Sequence, residues 1–461
     1  MAEFVMNPAD EVLLDPIRKT GAGFWFALAG LLTMVGFGAV AYLTQFVNGL
    51  GATGLHEPVS WGFYVTNFVF FIGISHAGTL ISAILRLSKA EWRRPVTRMA
   101  EVITCMVLLV GGGQILIDLG RPDRLLNVIQ YGRYQSPLLW DATSISAYLT
   151  ASTVYLYLPM IPDIAILRDR TTKYNFLYRV LALGWRGTQK QQKILNRAIT
   201  IMMVVVIPIA VSVHTVVSFV FSMTLQPMWH STIFGPYFVV GAIFSGIGAL
   251  IIAMLIFRKA YKLESYLKPI HFQYLGQLLL VMSLLWFYFT FAEYLTAYYG
   301  GEPEEMKVFF SKFTGDFRWE FWSMVGCNFI IPMACLTSLK KNPIPRVLTA
   351  SIFIVIGMWL ERFIIVVPTL SNPRLPFRLG SYMPTWVEWG EFTGSLGVFA
   401  LFYLLFTKFF PVISIWEIHE GRHEGVEEVM HRVKSYLPDD AEHAPPPQQQ
   451  PVAIAAKAVV P

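Results

Sequence analysis

Ten apolar runs, each long enough to cross a lipid bilayer as a helix, constrain this chain more than any other feature of its sequence. About 20 helical residues span the ~30 Å hydrocarbon core. Runs near that length occupy residues 23–47, 61–85, 99–119, 143–161, 198–221, 233–257, 275–295, 321–339, 347–368 and 392–410. Inside hydrocarbon each segment must satisfy its own backbone N–H and C=O groups, so runs of this length are helices. Composition agrees, since 14% of residues are charged against about a quarter in soluble domains. The expected fold class is all-α integral membrane with about ten transmembrane helices, and a soluble enzyme is excluded.

Orientation follows from Lys and Arg in the connections. One set of segments holds 22 of them before the C-terminal tail and the alternate set holds 8. That bias places both termini in the cytoplasm, which requires an even number of spans. The net charge of +6 is therefore topological. Basic patches here lack the interleaved aromatics of base-stacking surfaces, so no nucleic-acid partner is expected. The acidic N-terminus (Glu3, Asp10, Glu11, Asp15) shows no small-residue cleavage site, and no removable signal peptide is expected. The connection from Asp163 to Arg197 is expected to form amphipathic helices on the membrane face. An amphipathic cytoplasmic tail is expected over residues 412–443, and a disordered Pro/Gln/Ala-rich end over 444–461. Cys105, Cys327 and Cys335 fall inside spans without a Cys-x-x-Cys, so no metal site or iron–sulfur cluster is expected.

The membrane domain, residues 1–411, carries an internal repeat. Sliding the second span by 173 positions onto the sixth aligns Gly62 with Gly235, Tyr64 with Tyr237, Gly73 with Gly246 and Lys89 with Lys262. The third and seventh spans end in Asp118 and Glu293, and Trp140–Asp141 and Trp319–Glu320 precede the fourth and eighth. Spans two to five (60–222) and six to nine (232–370) are expected to form two parallel four-helix bundles, with the first and tenth spans peripheral. His76 aligns with Ala249, so a site built on His76 exists once.

Ionisable groups inside a membrane are costly and are functional candidates by default. Of nine histidines, His76 and His214 lie within the predicted spans. The small residues of Gly73-Ile-Ser-His-Ala-Gly-Thr79 would let a helix or a flat ligand approach His76. An imidazole exchanges protons near neutral pH, which suits quinol oxidation; the alternative is a histidine bonded across the bundle with no redox role. Asp118 and Asp141 flank a Gly120-Arg-Pro-Asp123 turn, whose Arg121 is placed to pair with either carboxylate. Asp141 equally suits a helix cap. Glu361 and Arg362 are adjacent in the ninth span, and neighbours on a helix do not face one another, so each is expected to find a partner on another helix. His76 and His214 together also suit a haem clamp, if their rings lie at matching depth.

At these residues the chain resembles the NrfD/polysulfide-reductase-C family of quinone-interacting membrane subunits. The resemblance rests on Trp61-Gly-Phe-Tyr-Val-Thr-Asn-Phe through His76-Ala-Gly-Thr79, Gly120-Arg-Pro122, Ser136-Pro-Leu-Leu-Trp-Asp141, Leu183-Gly-Trp-Arg-Gly187, Ser212-Val-His-Thr-Val-Val-Ser218, Trp229-His-Ser-Thr-Ile-Phe234 and Leu360-Glu-Arg-Phe363. Within the family it is most similar to the quinol-binding subunit of alternative complex III. That resemblance implies menaquinol as substrate, oxidised near the periplasmic side of a bacterial cytoplasmic membrane, with no haem or iron–sulfur cluster in this chain. It implies an iron–sulfur subunit, a multihaem cytochrome c subunit and a second NrfD-like membrane subunit as partners. Carried over by residue, His76, Asp141 and Asp118 are the catalytic candidates. Thr79 and Arg121 join them in the quinol pocket, and His214, Glu361 and Arg362 form a proton path. Counted from Trp61, His76 lies ~22 Å along its helix, nearer the midplane than the outer face. The expected function is quinol oxidation within a respiratory or photosynthetic complex, with possible coupling to proton translocation. The rival readings are a secondary transporter with parallel repeats and a structural anchor for redox partners.

Overall fold

The computed structural model describes residues 8–339, 342–375 and 381–422. Among them ten helices are long and apolar enough to cross a membrane, and no strand occurs. They are α1 (Ala22–Asn48), α2 (Phe63–Leu87), α3 (Thr97–Asp118), α4 (Pro137–Arg170), α5 (Gln189–Ser222), α6 (Phe234–Ala260), α7 (Pro269–Gly300), α8 (Arg318–Leu336), α9 (Pro343–Ser371) and α10 (Trp386–Phe409). This is a multi-pass integral membrane protein.

Every apolar run falls in one of these helices to within three residues at its ends, yet several helices outrun their apolar signal. α4 and α5 each have 34 residues, or ~51 Å at 1.5 Å per residue. Their polar ends carry no hydropathy, so the sequence signal stops where hydrocarbon would, not where hydrogen bonding stops. This corrects the expectation for residues 163–197. α4 runs on to Arg170, a short helix covers Asn175–Leu181, and α5 begins at Gln189 behind a capping box in which Thr188 and Gln191 satisfy each other's backbone.

α2, α3, α4 and α5 close one ring of four, and α6, α7, α8 and α9 close another. The rings join where α6 meets α2 and α5, and where α9 meets α2. Consequently α2 is central: 87% of its most apolar stretch is buried, against 11% for α1. α1 pairs with α10, which leans on α3. That pair is set by glycine. A Cβ on Gly394 would lie 2.6 Å from the Gly38 backbone, closer than real contacts allow, as in small-residue helix crossings in membranes. The repeat has a backbone counterpart, since Lys89 and Lys262 both end their helices in the left-handed region at φ 53°. Most of the charged tail, from residue 423 onward, lies outside the described residues; residues 417–422 are helical.

Candidate functional site

α4 supplies the spine of the site. Its buried residues Asp141, Ile145, Tyr148, Ser152, Tyr155, Pro159 and Asp163 recur every three or four positions, which places them on one helical face. That face looks into the first ring. Halfway down, the Tyr148 ring lies 5.3 Å from the His76 imidazole, and its hydroxyl donates to the Ser75 carbonyl at 3.1 Å.

His76 is fully buried, and its Nε2 lies 2.6 Å from the Ala210 carbonyl oxygen of α5. A carbonyl only accepts, so Nε2 carries the hydrogen and Nδ1 holds the lone pair of the neutral ring. Nδ1 receives no hydrogen bond, and the Ile72 carbonyl lies beside it. A proton arriving at Nδ1 thus finds an acceptor in place. Among the small residues nearby, Gly78 serves helix packing. A Cβ on Gly78 would sit 1.7 Å from the Ala100 carbonyl oxygen of α3, so glycine there permits the α2–α3 approach. The side chain of Thr79, the remaining pocket candidate on α2, lies outside the described residues.

His214 meets His76 directly, with ring centroids 3.7 Å apart. Two imidazoles on one metal at about 2 Å per bond would stand roughly 6 Å apart, so this geometry leaves no room for a haem iron between them. Both His214 nitrogens are buried without a hydrogen-bond partner. Across the seam between the rings stands Arg362, whose guanidinium lies over the Phe238 ring at 4.6 Å and acts electrostatically on His214. Arg362 Nη1 is 3.2 Å from Glu361 Oε2. The expectation that each finds its partner on another helix holds for Glu361, which accepts from Trp286 Nε1 at 2.8 Å and touches Tyr237. Arg362 pairs in charge with its own neighbour, and its partner on another helix is the Phe238 ring of α6. His76 thus touches His214 in the first ring, Arg362 pairs with Glu361 in the second, and the Arg362 charge acts on His214 across the seam.

Beyond Glu361 polar groups continue toward the end of the molecule that carries residues 301–317. Trp229, Tyr237, Thr290, Glu293, Tyr294 and Lys312 line a cavity of about 20 Å³, room for about one water. Glu293 accepts from Ser231, and the Lys312 ammonium stands 5.6 Å over the Tyr294 ring. Lys312 lies on the short helix Pro303–Phe313, outside the spans, and burial pushes its amine down to about 8 while Glu293 opposes the shift.

The acidic pair at the end of α3 and the start of α4 separates. α4 begins at Pro137 behind Ser136, so Asp141 stands one turn inside the helix and cannot cap it. It is 6% exposed, and its Oδ1 has no partner. Asp118, the last residue of α3, is half-buried, and its charge acts on Glu391 of α10. Arg121 pairs with neither; it is exposed and donates to Asp123 at 3.0 and 3.1 Å, which holds that carboxyl below the usual range. Proximity in sequence suggests otherwise, but a two-residue reach within the turn is shorter than any route to the helices.

Several buried groups give no clear signal in the sequence. Ser82 donates to Glu101 at 2.5 Å and lies 3.2 Å from the Tyr155 hydroxyl. Arg98 pairs with Asp163 at 2.6 Å. Glu388 and Glu391 are buried on α10. Hydropathy places Arg98 and Asp163 in the connections because they sit at the polar ends of apolar runs. The three-and-four spacing of buried residues along α4 is the signal that could have found Asp163.

Comparison with known proteins adds identity to this geometry. Residues 51–372 match the family model described as polysulphide reductase, NrfD. The chain is 24% identical over 425 residues to a selenate reductase subunit of Mesobacillus selenatarsenatis, covering 88% of this chain and 98% of that one. It is 24% identical over 416 residues to the Hdr-like menaquinol oxidoreductase integral membrane subunit of Archaeoglobus fulgidus, covering 86% and 95%. Over 415 residues it is 22% identical to the menaquinone reductase integral membrane subunit of Nitratidesulfovibrio vulgaris, covering 84% and 92%.

Proposed function

We propose that this chain, which belongs to the polysulphide reductase NrfD family, oxidises a membrane quinol as one subunit of a larger redox complex. The observation that carries the reading is the α4 face. It places Asp141, buried with an unsatisfied oxygen, above Tyr148, and Tyr148 against His76 with its free Nδ1 lone pair. A quinol gives up two protons with its two electrons, and this face offers two proton acceptors along one line. The names of two relatives, a menaquinol oxidoreductase and a menaquinone reductase subunit, support menaquinol as the substrate.

In this reading the quinol enters from the bilayer at the Asp141 end, and Asp141 and His76 take its protons. Asp118 and Arg121 border the entrance. Electrons pass to an iron–sulfur partner and then to a multihaem cytochrome c, beside a second NrfD-like subunit, in an assembly of the alternative complex III type. The chain is an enzyme only within that assembly. Its place is a bacterial cytoplasmic membrane, with both termini inside. His214, Arg362 and Glu361 extend the proton route into the second ring. The test is menaquinol oxidation by the intact complex carrying Asp141→Asn or His76→Ala. Loss of a general base costs on the order of 10²–10⁴-fold. Near-normal turnover in both assembled variants would remove the basis of the proposal.

A further inference from the structure

Where α3 ends and α10 begins, a second polar cluster lies outside both four-helix rings. Its charged member is Glu388, whose carboxylate accepts from the Gly54 amide at 2.9 Å, the Thr385 amide at 2.8 Å and the Tyr382 hydroxyl. One turn along α10, on the same face, Glu391 is 2% exposed, and neither of its oxygens receives a hydrogen bond.

The direction of the surrounding hydrogen bonds says what Glu391 lacks. Gln45 Nε2 donates to the Ile117 carbonyl at 2.8 Å, which turns Gln45 Oε1 toward Tyr64. Tyr64 spends its one hydrogen on that oxygen at 2.6 Å. The Tyr64 hydroxyl also touches Glu391, so what it presents there is a lone pair. Gln114 repeats the pattern from α3. It is 1% exposed, its Nε2 donates to Ser395 at 2.5 Å, one turn past Glu391, and its Oε1 has no donor. The titratable groups that face Glu391 are Tyr64 from α2, Asp118 from α3 and Glu388 from α10; α1 contributes neutral Gln45. Among the described residues no Lys, Arg or His pairs with it. An ionised Glu391 would confront lone pairs and two carboxylates with nothing to balance it.

We propose that Glu391 is a proton-binding site, in which Glu391 carries the proton and donates it to the Tyr64 oxygen. A proton supplies the missing donor without added volume, whereas a hard metal cation takes about six oxygens. The site shares no residue with the α4 face. It stands whether or not a quinol is the substrate.

The test is infrared difference spectroscopy of the purified full-length protein in H₂O and D₂O, for wild type, Glu391→Gln and Tyr64→Phe. The expected result is a protonated-carboxyl C=O band that shifts in D₂O, disappears in Glu391→Gln and moves in Tyr64→Phe. Glu391→Gln, an uncharged mimic, should keep wild-type thermal stability, while Glu388→Gln should lose it. If Glu391→Gln removes an ionised carboxylate band instead, the proposal is overturned, and a dependence of that band on NaCl would identify a metal cation as the ligand. Should Glu391→Gln fail to fold, an unmoved C=O band in Tyr64→Phe overturns it equally.

Discussion

Removing the carboxylate of Asp163 would leave a buried cation without its partner, and the structure sets the scale of the loss. Asp163 is fully buried and Arg98 is 1% exposed; they pair at 2.6 Å. Asp163 also accepts from the Ile415 amide at 3.2 Å and the Trp416 amide at 3.0 Å, tying the segment after α10 to α3 and α4. Breaking a buried pair costs about 3–5 kcal/mol because the survivor stays charged in low dielectric. Two orphaned amides add on the order of 1 kcal/mol each. Asp163→Ala should therefore destabilise by about 5–7 kcal/mol. Asp163→Asn should lose less, since its amide oxygen still accepts from one backbone N–H. The double replacement Arg98→Met with Asp163→Leu should recover most of the loss, because nothing charged remains buried. Reversible unfolding in mixed micelles, run as a double-mutant cycle, measures these terms. A coupling energy below about 1 kcal/mol, or a double variant as weak as Asp163→Ala, would refute the argument.

Two further predictions concern packing and pH. Gly78→Ala would drive a Cβ to 1.7 Å from the Ala100 carbonyl oxygen, so it should part α2 from α3 and cost at least ~3 kcal/mol; a wild-type yield of folded protein would contradict that contact. The Lys312 amine is pushed down to about 8 from 10.5. A base lowered in the folded state costs stability while protonated, so stability should rise as pH climbs from about 8 to 10.5. The cost at neutral pH is on the order of 3 kcal/mol, and Lys312→Met should flatten the profile. A wild-type profile flat over that interval would place Lys312 in water.

What could be read from the sequence, and what could not, divides along range. Ten spans were legible because the membrane requirement is local: each run of apolar residues either covers ~30 Å or does not. The candidacy of His76, His214, Glu361 and Arg362 was legible for the same reason, as each is an ionisable residue set within an apolar run. Their order in space was not. Nothing in the one-dimensional pattern says that His214 touches His76, or that Arg362 bridges toward it while Glu361 turns to Trp286. Those relations depend on how α2, α5, α6 and α9 cross. Crossing is decided by side-chain packing at residues such as Gly78 that carry no chemistry.

The acidic residues show the boundary most clearly. Asp118, Arg121 and Asp141 looked like one cluster because one short turn joins them. The fold instead leaves Asp118 half-buried at the end of α3, pairs Arg121 with Asp123 and buries Asp141 on the α4 face that carries Tyr148. Hydropathy and charge, being sums over neighbours in the chain, determined the class and the spans by themselves. Which buried charge meets which was left to tertiary structure, because a hydrogen bond forms over about 3 Å of space whatever the separation in sequence.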